Sequence, residues 1–304
     1  MLGDLRLLLE VVKAVRAQVA PGFCVAVKLN SADFQRGSFD ASDAKRVVQM
    51  LNELDVDLVE LSGGSYESPA MQGRTADGRT LAEQDVVWLP PVEVGTVFAL
   101  GLNYADHAKE LAFKAPETPL VFLKGPNTII GHQANTRRPA DATYMHYECE
   151  LAVVIGQRGK HIAKADAWQY VAGYTVANDY AIRDYLENYY RPNLRVKNRD
   201  GCTPLGPWLT DRDDIANPMA LALTTRVNGI TTQTGSTADM IFDISTLIAY
   251  LSSFMTLNPG DVILTGTPEG LADVKAGDVV ETEIEGLGCL VNRIVDDQTF
   301  FAQR

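Results

Sequence analysis

The chain has 304 residues, of which 46% are hydrophobic and 22% charged, and its formal net charge is -12 at pH 7. This composition is that of a globular protein with one large or two modest domains, and the acidic balance argues against nucleic acid and anionic membranes as partners. No apolar run reaches transmembrane length, no secretory leader is recognisable, and the four cysteines are scattered. We therefore expect a soluble, cytoplasmic protein with reduced thiols.

The amino-terminal quarter alternates helical and extended patterns. Apolar residues at helical spacing predict helices at residues 5–19 and 41–54, and short apolar runs predict strands at 23–29 and 57–62. Such alternation is typical of a parallel barrel or a doubly wound sheet.

Beyond residue 83 the pattern becomes mainly extended. Strands are predicted at 94–100, 120–123, 148–155, 221–227, 261–264 and 279–284, and helices at 165–171 and 244–254. We therefore expect two domains, 1–83 and 84–304, of which the second has an α+β fold.

Two glutamates lie at the start of the most apolar predicted strand. Glu148 and Glu150 are two residues apart, so the period of a strand places both side chains on one face, where they repel each other unless a cation lies between them. A divalent ion would explain this pair, although two acids on a solvated strand edge are the plainer alternative.

A third acid favours the metal interpretation. Asp179 follows an apolar stretch at 170–177, where a buried carboxylate needs a partner or a metal. Three acids without clustered cysteine or histidine form an all-oxygen ligand set, which suits Mg²⁺ first and then Mn²⁺ or Ca²⁺, and disfavours zinc.

Residues 183–199 are locally basic within an acidic chain. They contain four arginines and a lysine, interleaved with tyrosines: Arg183, Arg191, Arg195, Lys197 and Arg199. Because arginine binds carboxylates bidentately, this run favours a dicarboxylate or tricarboxylate ligand. The alternative is a loop of solvated cations, and nucleic-acid binding would require a positive charge spread over the whole protein.

Five motifs in the same order resemble the fumarylacetoacetate hydrolase family. They are FALGLNYADH at 98–107, VFLKGPNT at 121–128, the Glu148/Glu150 strand, Asn178-Asp179, and LTGTP at 264–268. Residues 174–201 are similar, within that family, to the metal-bearing half of isomerases and decarboxylases of homoprotocatechuate (4-hydroxyphenylacetate) breakdown. The resemblance implies a mixed β roll around a metal cleft, and a homodimer.

The resemblance also implies residue roles. Glu148, Glu150 and Asp179 match the family's metal ligands, whereas His107, Glu110 and Lys197 match its catalytic groups. The substrate-binding positions are Tyr104, Lys124, Arg183, Arg191 and Thr267. Independently, the spacing of His107 and Glu110 puts both on one face of a helix, although an ordinary surface histidine has the same spacing. For Thr267 the alternative is a plain turn.

Residues 1–83 resemble a different family, the old-yellow-enzyme-type NADH:flavin oxidoreductases. The resemblance lies in VAVKLNSADF at 25–34 and VELSGGSYE at 59–67, and it would place Lys28 near a flavin. Such a barrel needs eight strands, and only about two are present. We therefore expect a truncated barrel fragment without flavin chemistry, joined by a natural or an artificial fusion.

The expected activity follows from the resemblance. It implies Mg²⁺-dependent isomerisation of 2-hydroxyhepta-2,4-diene-1,7-dioate, decarboxylation of 5-carboxymethyl-2-oxo-hex-3-ene-1,7-dioate, or both. Proton transfer would fall to His107 with Glu110, or to Lys197 if Arg195 and Arg199 lower its pKa. Carbon–carbon bond hydrolysis of an acylpyruvate or fumarylacetoacetate, and an inactive binding or assembly subunit, remain open alternatives.

Overall fold

The structure is a computed structural model, and it divides the chain into two compact units, Met1–Val86 and Val87–Arg304. It describes residues 2–19, 26–30, 41–51, 54, 56, 58–62, 64–65, 68–69, 86–110, 114, 116–186 and 193–302. None of the described helices is long and apolar enough to cross a membrane.

The first unit contains a parallel strand pair with a helix between its strands in the chain. Its elements are α1 (Leu2–Gln18), β1 (Ala26–Asn30), α2 (Ala41–Leu51), β2 (Leu58–Ser62), β3 (Gly64–Ser65) and β4 (Ser68–Pro69). Val12, Val27, Val47 and Leu51 form a small core there. The predicted helices and strands are confirmed within three residues at each described end. The described residues show one β1–β2 pair and no barrel.

The second unit is a mixed α+β fold. Its strands are β5 (Val97–Gly101), β6 (Leu120–Lys124), β7 (Ile129–Ile130), β8 (Asn135–Arg137), β9 (Met145–His146), β10 (Cys149–Ile155), β11 (Val171–Asn178), β12 (Ala181–Ile182), β13 (Thr203–Asp211), β14 (Ala222–Val227), β15 (Ile230–Ser236), β16 (Val262–Leu264), β17 (Val279–Ile284) and β18 (Gly288–Val295). Its α-helices are α3 (Ala105–Glu110), α4 (Leu194–Lys197), α5 (Ile244–Phe254) and α6 (Asp297–Ala302), and its 3₁₀ helices are Pro126–Thr128, Lys164–Tyr170, Arg183–Tyr185, Arg212–Asp214 and Thr237–Asp239.

The described strands of the second unit form a seven-stranded sheet and a five-stranded sheet, with a separate β9–β12 pair. The seven-stranded order is β6-β5-β16-β10-β11-β13-β7, and the five-stranded order is β15-β14-β17-β18-β8. Every residue of β10 is buried, because Leu151 and Val153 face the core that contains α5, while Ala152 and Val154 face a second cluster. This explains why β10 is a continuous apolar run.

The helix expected at 165–171 is present as the 3₁₀ helix Lys164–Tyr170, in which each hydrogen bond spans three residues. The helix expected at 244–254 is confirmed as α5, with Asp243 as its N-cap.

Candidate metal centre

Three acidic side chains meet where β10 begins and β11 ends. One ligand atom each from Glu148, Glu150 and Asp179 lies within 4.8 Å of the others, and all three residues are buried. Burial of three carboxylates together is costly without cations, because each loses its hydration and repels the other two.

The pairing of β10 with β11 brings these residues together. The strands are antiparallel and Cys149 pairs with Asn178, so the residues flanking that pair are neighbours. The Asn178 side chain fixes the corner: its Oδ1 accepts from the Glu148 backbone N–H at 2.9 Å, and its Nδ2 donates to Thr282 Oγ1 at 3.0 Å. Asn178 thus holds Glu148 at the mouth of the strand.

The chain that follows strand β16 also borders the carboxylate cluster. The chain after β16 bends at Gly266, whose φ of 90° suits glycine and whose N–H donates to Glu150 Oε2 at 2.7 Å. A Cβ at Gly266 would lie 2.9 Å from the Cβ of Asn103. The glycine in the LTGTP motif therefore permits both the turn and the bond to Glu150.

Two buried lysines contact the carboxylates. Lys197 Nζ lies 2.5 Å from Glu148 Oε2 and 2.9 Å from Asp179 Oδ2, and it donates to the Asp179 backbone carbonyl at 2.9 Å. Lys124 forms an ion pair with Asp179 and donates to the Lys197 carbonyl at 2.5 Å. Lys124 therefore contacts a carboxylate of the cluster directly.

Glu150 Oε1 is buried without a hydrogen bond, whereas Asp179 Oδ2, which also lacks a counted hydrogen bond, forms an ion pair with Lys197 at 2.9 Å. Native proteins rarely leave an atom such as Glu150 Oε1 unsatisfied unless an ion or a ligand uses it. The all-oxygen donor set suits a hard divalent cation such as Mg²⁺ or Mn²⁺. Glu148, Glu150 and Asp179 therefore fit such an ion.

Burial and the neighbouring charges shift the pKa values of the two glutamates in the cluster. Burial, followed by the charges of Asp179 and Glu148, raises the pKa of Glu150. Burial alone would raise the pKa of Glu148 as well, but Lys197, His146 and Arg183 hold it well below its ordinary value. The two glutamates thus differ because the cations lie beside Glu148.

Arg183 lies next to the cluster and is held by His146. Its Nε donates to His146 Nε2 at 2.9 Å, and a terminal nitrogen lies 3.3 Å from Glu148 Oε1. Because a guanidinium only donates, His146 Nε2 must be unprotonated, and its proton lies on Nδ1, facing the Tyr147 carbonyl at 3.3 Å. Burial, opposed by Glu148 and reinforced by Arg183 and Lys197, lowers the pKa of His146 to about 3.

His107 and Glu110 lie together on α3, as their spacing predicts. His107 Nδ1 is 3.2 Å from Glu110 Oε2, and the imidazole is buried. The other carboxylate oxygen of Glu110 accepts from the N–H groups of Gly270 and Leu271, both at 3.1 Å. Glu110 therefore orients the imidazole and ties α3 to the chain after β16.

The remaining predicted substrate residues have different surroundings. Tyr104 is buried with an unpartnered hydroxyl, and burial, then Cys149 and Glu150, raise its pKa. Thr267 is buried and accepts a hydrogen bond from Gln233 at 3.0 Å. Arg191 lies outside the described residues, so its predicted role stays a prediction.

The condition under which Lys197 would act as the base, namely that Arg195 and Arg199 lower its pKa, is not met. Arg195 stacks over Tyr185 at 4.1 Å. Burial would lower the pKa of Lys197, but Asp179 and Glu148 outweigh it and raise the pKa. Without a bound cation Lys197 is therefore a charged partner of the acids rather than a neutral base.

Comparisons with known proteins agree with this geometry. Residues 96–295 match the family model described as "Fumarylacetoacetate (FAA) hydrolase C-terminal". The chain is 52% identical over 283 residues to the 4-hydroxyphenylacetate degradation bifunctional isomerase/decarboxylase of Escherichia coli, covering 89% of this chain and 66% of that protein. The chain thus spans about two thirds of the length of that relative.

The crystal structures that are similar to this chain include the following two. The 5-carboxymethyl-2-hydroxymuconate delta-isomerase from Mycobacterium smegmatis is 41% identical with a TM-score of 0.64, over 72% of this chain and 86% of that one. The fumarylpyruvate hydrolase from Pseudomonas aeruginosa, in complex with Mn²⁺ and pyruvate, is 32% identical with a TM-score of 0.63, over 67% of this chain and 91% of that one.

These matches give no support to a flavin-oxidoreductase origin for residues 1–83. The alignment with the Escherichia coli protein covers 89% of this chain and therefore reaches into that segment. The barrel-fragment interpretation rests on the two sequence motifs alone.

Proposed function

Because this chain belongs to the fumarylacetoacetate hydrolase family, we propose that it isomerises 2-hydroxyhepta-2,4-diene-1,7-dioate and decarboxylates 5-carboxymethyl-2-oxo-hex-3-ene-1,7-dioate with a divalent metal ion. The identity of 52% to a bifunctional isomerase/decarboxylase supports the reaction class. The buried cluster of three carboxylates, in which Glu150 Oε1 has no hydrogen bond, carries the proposal.

The charges of the cluster favour an anionic substrate. Three carboxylates (Glu148, Glu150, Asp179) contact or adjoin three cations (Lys124, Lys197, Arg183). With all six charged, the cluster is balanced, and a divalent ion would leave an excess of positive charge. A carboxylate with an adjacent oxo or enol oxygen is the ligand that such a site attracts.

Mg²⁺ is the ion we assign, with Mn²⁺ as a substitute. Bound by Glu148, Glu150 and Asp179, it would supply Lewis-acid stabilisation for the negative charge that develops on a substrate oxygen. The Mn²⁺ in the 32% identical fumarylpyruvate hydrolase supports this assignment.

The protein's own residues would then bind the substrate and move its proton. His107, oriented by Glu110, would transfer the proton at the carbon far from the metal-bound end. Thr267 would donate to a substrate oxygen. Arg183, whose side chain is 27% exposed, and Arg191 would bind the remote carboxylate. In decarboxylation, the electron pair of the broken bond enters the conjugated system as CO₂ departs.

Hydrolysis of a carbon–carbon bond in an acylpyruvate is the second candidate. The similar fumarylpyruvate hydrolase supports it, and His107 with Glu110 could activate a water molecule. Isomerisation conserves mass, decarboxylation loses CO₂, and hydrolysis adds water and yields two products.

An assay with the seven-carbon diene dioate tests the proposal. We expect an ultraviolet change that requires Mg²⁺, with a product of unchanged mass. A product pair with the added mass of water would favour the hydrolase, and no turnover of either substrate class would favour an inactive binding or assembly subunit.

Arg191 tests the substrate class. Arg191→Leu should weaken apparent binding of the dioate by about 2 to 5 kcal/mol, as when a buried charge loses its partner, and leave a monocarboxylate analogue nearly unaffected. Equal losses for both substrates would place Arg191 in support of the fold or the metal-bound end. The family resemblance also leads us to propose a cytoplasmic homodimer, which light scattering and cell fractionation would measure.

A further inference from the structure

Gln233 lies outside every motif that carries the family resemblance, yet its side chain reaches the candidate site. It is on β15 and is 2% exposed. Its Nε2 donates to the Pro268 carbonyl at 2.8 Å and to Thr267 Oγ1 at 3.0 Å, while its Oε1 accepts from Thr225 Oγ1 at 2.9 Å. Both polar atoms of this side-chain amide are therefore hydrogen-bonded.

The bond to Pro268 fixes which way the amide points. A backbone carbonyl only accepts, so the amide atom facing it must be the nitrogen and not the oxygen. The same nitrogen faces Thr267 Oγ1. Thr267 is therefore the acceptor in its bond with Gln233.

The hydrogen of the Thr267 hydroxyl must point elsewhere. A hydroxyl has one hydrogen to donate, and in the described part of the chain no acceptor receives it from Thr267. Thr267 directly follows Gly266, whose N–H holds Glu150 Oε2 at 2.7 Å. The free donor is thus one residue from the backbone group that holds the cluster.

We propose that Gln233 is a positioning residue that fixes Thr267 as a hydrogen-bond donor toward the ligand of the metal centre. This polarity selects an oxygen that accepts, such as a carboxylate, carbonyl or enolate, over a hydroxyl that must donate. The inference rests on the proposed function only in that a substrate oxygen lies against Thr267.

Without Gln233, the Thr267 hydroxyl would have a competing acceptor. The Pro268 carbonyl would lose its donor, and an unsatisfied buried carbonyl is costly. Rotation of the hydroxyl toward that carbonyl would satisfy it and withdraw the donor from the ligand. The loss of Gln233 should therefore weaken ligand binding through Thr267 and leave the carboxylate ligands in place.

Calorimetric binding of oxalate, a stand-in for the carboxylate and adjacent oxygen of a 2-oxo acid, tests this proposal at saturating Mg²⁺. Gln233→Met keeps the volume and removes the donor, and we expect about tenfold weaker oxalate binding, the size of one hydrogen bond to an anion. Thr267→Val should cause a similar loss. The double variant should lose no more than Thr267→Val alone, because both changes remove the same donor.

Thr225→Val is the matched control. It removes a buried hydrogen bond from the same amide but leaves both bonds of Nε2, so oxalate binding should change by less than about twofold. Gln233→Asn, which shortens the side chain by one methylene, should behave like Gln233→Met. The two variants remove the same donor in different ways, so the test stands if one of them fails to fold. Thermal unfolding and Mg²⁺ affinity are measured for each protein.

Additive losses in the double variant, or equal losses in Thr225→Val and Gln233→Met, would overturn the proposal, since either shows an effect on the fold and not through Thr267. Absence of oxalate binding by the unaltered protein would overturn it too. Coupled losses without turnover of the diene dioate would support the role of Gln233 and reject the substrate assignment instead.

Discussion

Buried carboxylates at the two ends of β16 have opposite environments. Before the strand, Asp261 is 3% exposed, and its two oxygens accept from the backbone N–H groups of Thr96 at 2.7 Å and Asn258 at 2.8 Å. After the strand, Gly266 holds one oxygen of Glu150 at 2.7 Å, whereas the other oxygen has no hydrogen bond. Both groups are buried, but only one is satisfied by the protein.

This difference separates a structural acid from a candidate metal ligand. Fixed backbone donors compensate Asp261 for its lost hydration, so it ties the start of β16 to the chain before β5. The carboxylates of the cluster depend partly on Lys124 and Lys197, and Glu150 Oε1 still has no hydrogen bond. Substitution of Asp261 should reduce the stability of the fold, whereas substitution of a carboxylate in the cluster should reduce metal binding.

The largest expected effect is at the cluster. Glu150→Gln should weaken Mg²⁺ binding by at least about 100-fold, since even residues that only support a metal ligand cost 10–100-fold. Turnover should be lost, while the unfolding temperature in EDTA should not fall, because the change removes repulsion among the acids. Calorimetry and thermal unfolding measure the two quantities.

Glu148→Ala and Asp179→Ala should likewise abolish divalent-ion binding and activity. Full activity of any of these variants, or of the unaltered protein after complete removal of divalent ions by EDTA, would contradict the metal assignment.

The second-largest effect is expected at Asp261, and it is a loss of stability. Asp261→Asn keeps one acceptor oxygen and turns an NH₂ group toward a backbone N–H, so the free energy of unfolding should fall by about 2–3 kcal/mol. Mg²⁺ affinity should stay within about twofold, since distant sites act independently. Denaturant unfolding measures the first quantity; an unchanged stability would show that the bonds of Asp261 are not what holds this turn.

A smaller effect is expected at Asp243, a partly exposed acid. It caps α5 by accepting from the Thr246 N–H at 2.7 Å and forms an ion pair with Lys164 at 2.8 Å. Asp243→Ala should cost about 1 kcal/mol of unfolding free energy, as for a lost N-cap.

The contribution of Asp243 depends on pH. Burial would raise its pKa, but Lys164 and the bonds from Thr246 outweigh burial and lower it below the ordinary 3.8. Since the folded pKa is depressed, the stabilisation is present above the unfolded pKa and is lost as the pH falls through the folded pKa. The difference between the two proteins should therefore shrink in acid, and a difference that grows would refute the capping role.

The smallest effect on turnover is expected from deletion of residues 1–83. Every described residue of the candidate site lies in the second unit, so turnover should change by no more than a few fold. Purified full-length protein should lack flavin absorbance. A stoichiometric flavin, or loss of turnover on deletion, would show that the first unit contributes to function.

Much of the fold could be predicted from local patterns. The continuous apolar run of β10 and the alternation of β17 were sufficient to predict these two strands. Strand β10 begins one residue later than predicted. Strand β13 was missed because Pro204, Gly206 and Pro207 are residues typical of turns, although β13 pairs with β11 at Leu205, Gly206, Thr210 and Asp211. Tertiary pairing thus overrides local propensity there.

The acids of the candidate site were apparent from the sequence, but the residues that hold other side chains of the site in place were not. Glu148, Glu150 and Asp179 lie in recognisable motifs at the ends of apolar segments. His146 acts on Arg183, 37 residues away, and Gln233 on Thr267, 34 residues away. Neither pair has a spacing that a sequence pattern would reveal, because tertiary structure creates both contacts. The pairing of β9 with β12 brings His146 to Arg183, and Gln233 reaches from the five-stranded sheet to the chain that follows β16 in the seven-stranded sheet.

Magnesium titration of EDTA-treated protein tests the central claim most directly, with Asp261→Asn and Glu150→Gln measured in parallel. The account predicts one Mg²⁺ per chain for the unaltered protein and for Asp261→Asn, and no measurable binding for Glu150→Gln. Equal binding by all three proteins, or none by the unaltered one, would contradict the claim that the buried carboxylates Glu148, Glu150 and Asp179 form a metal centre.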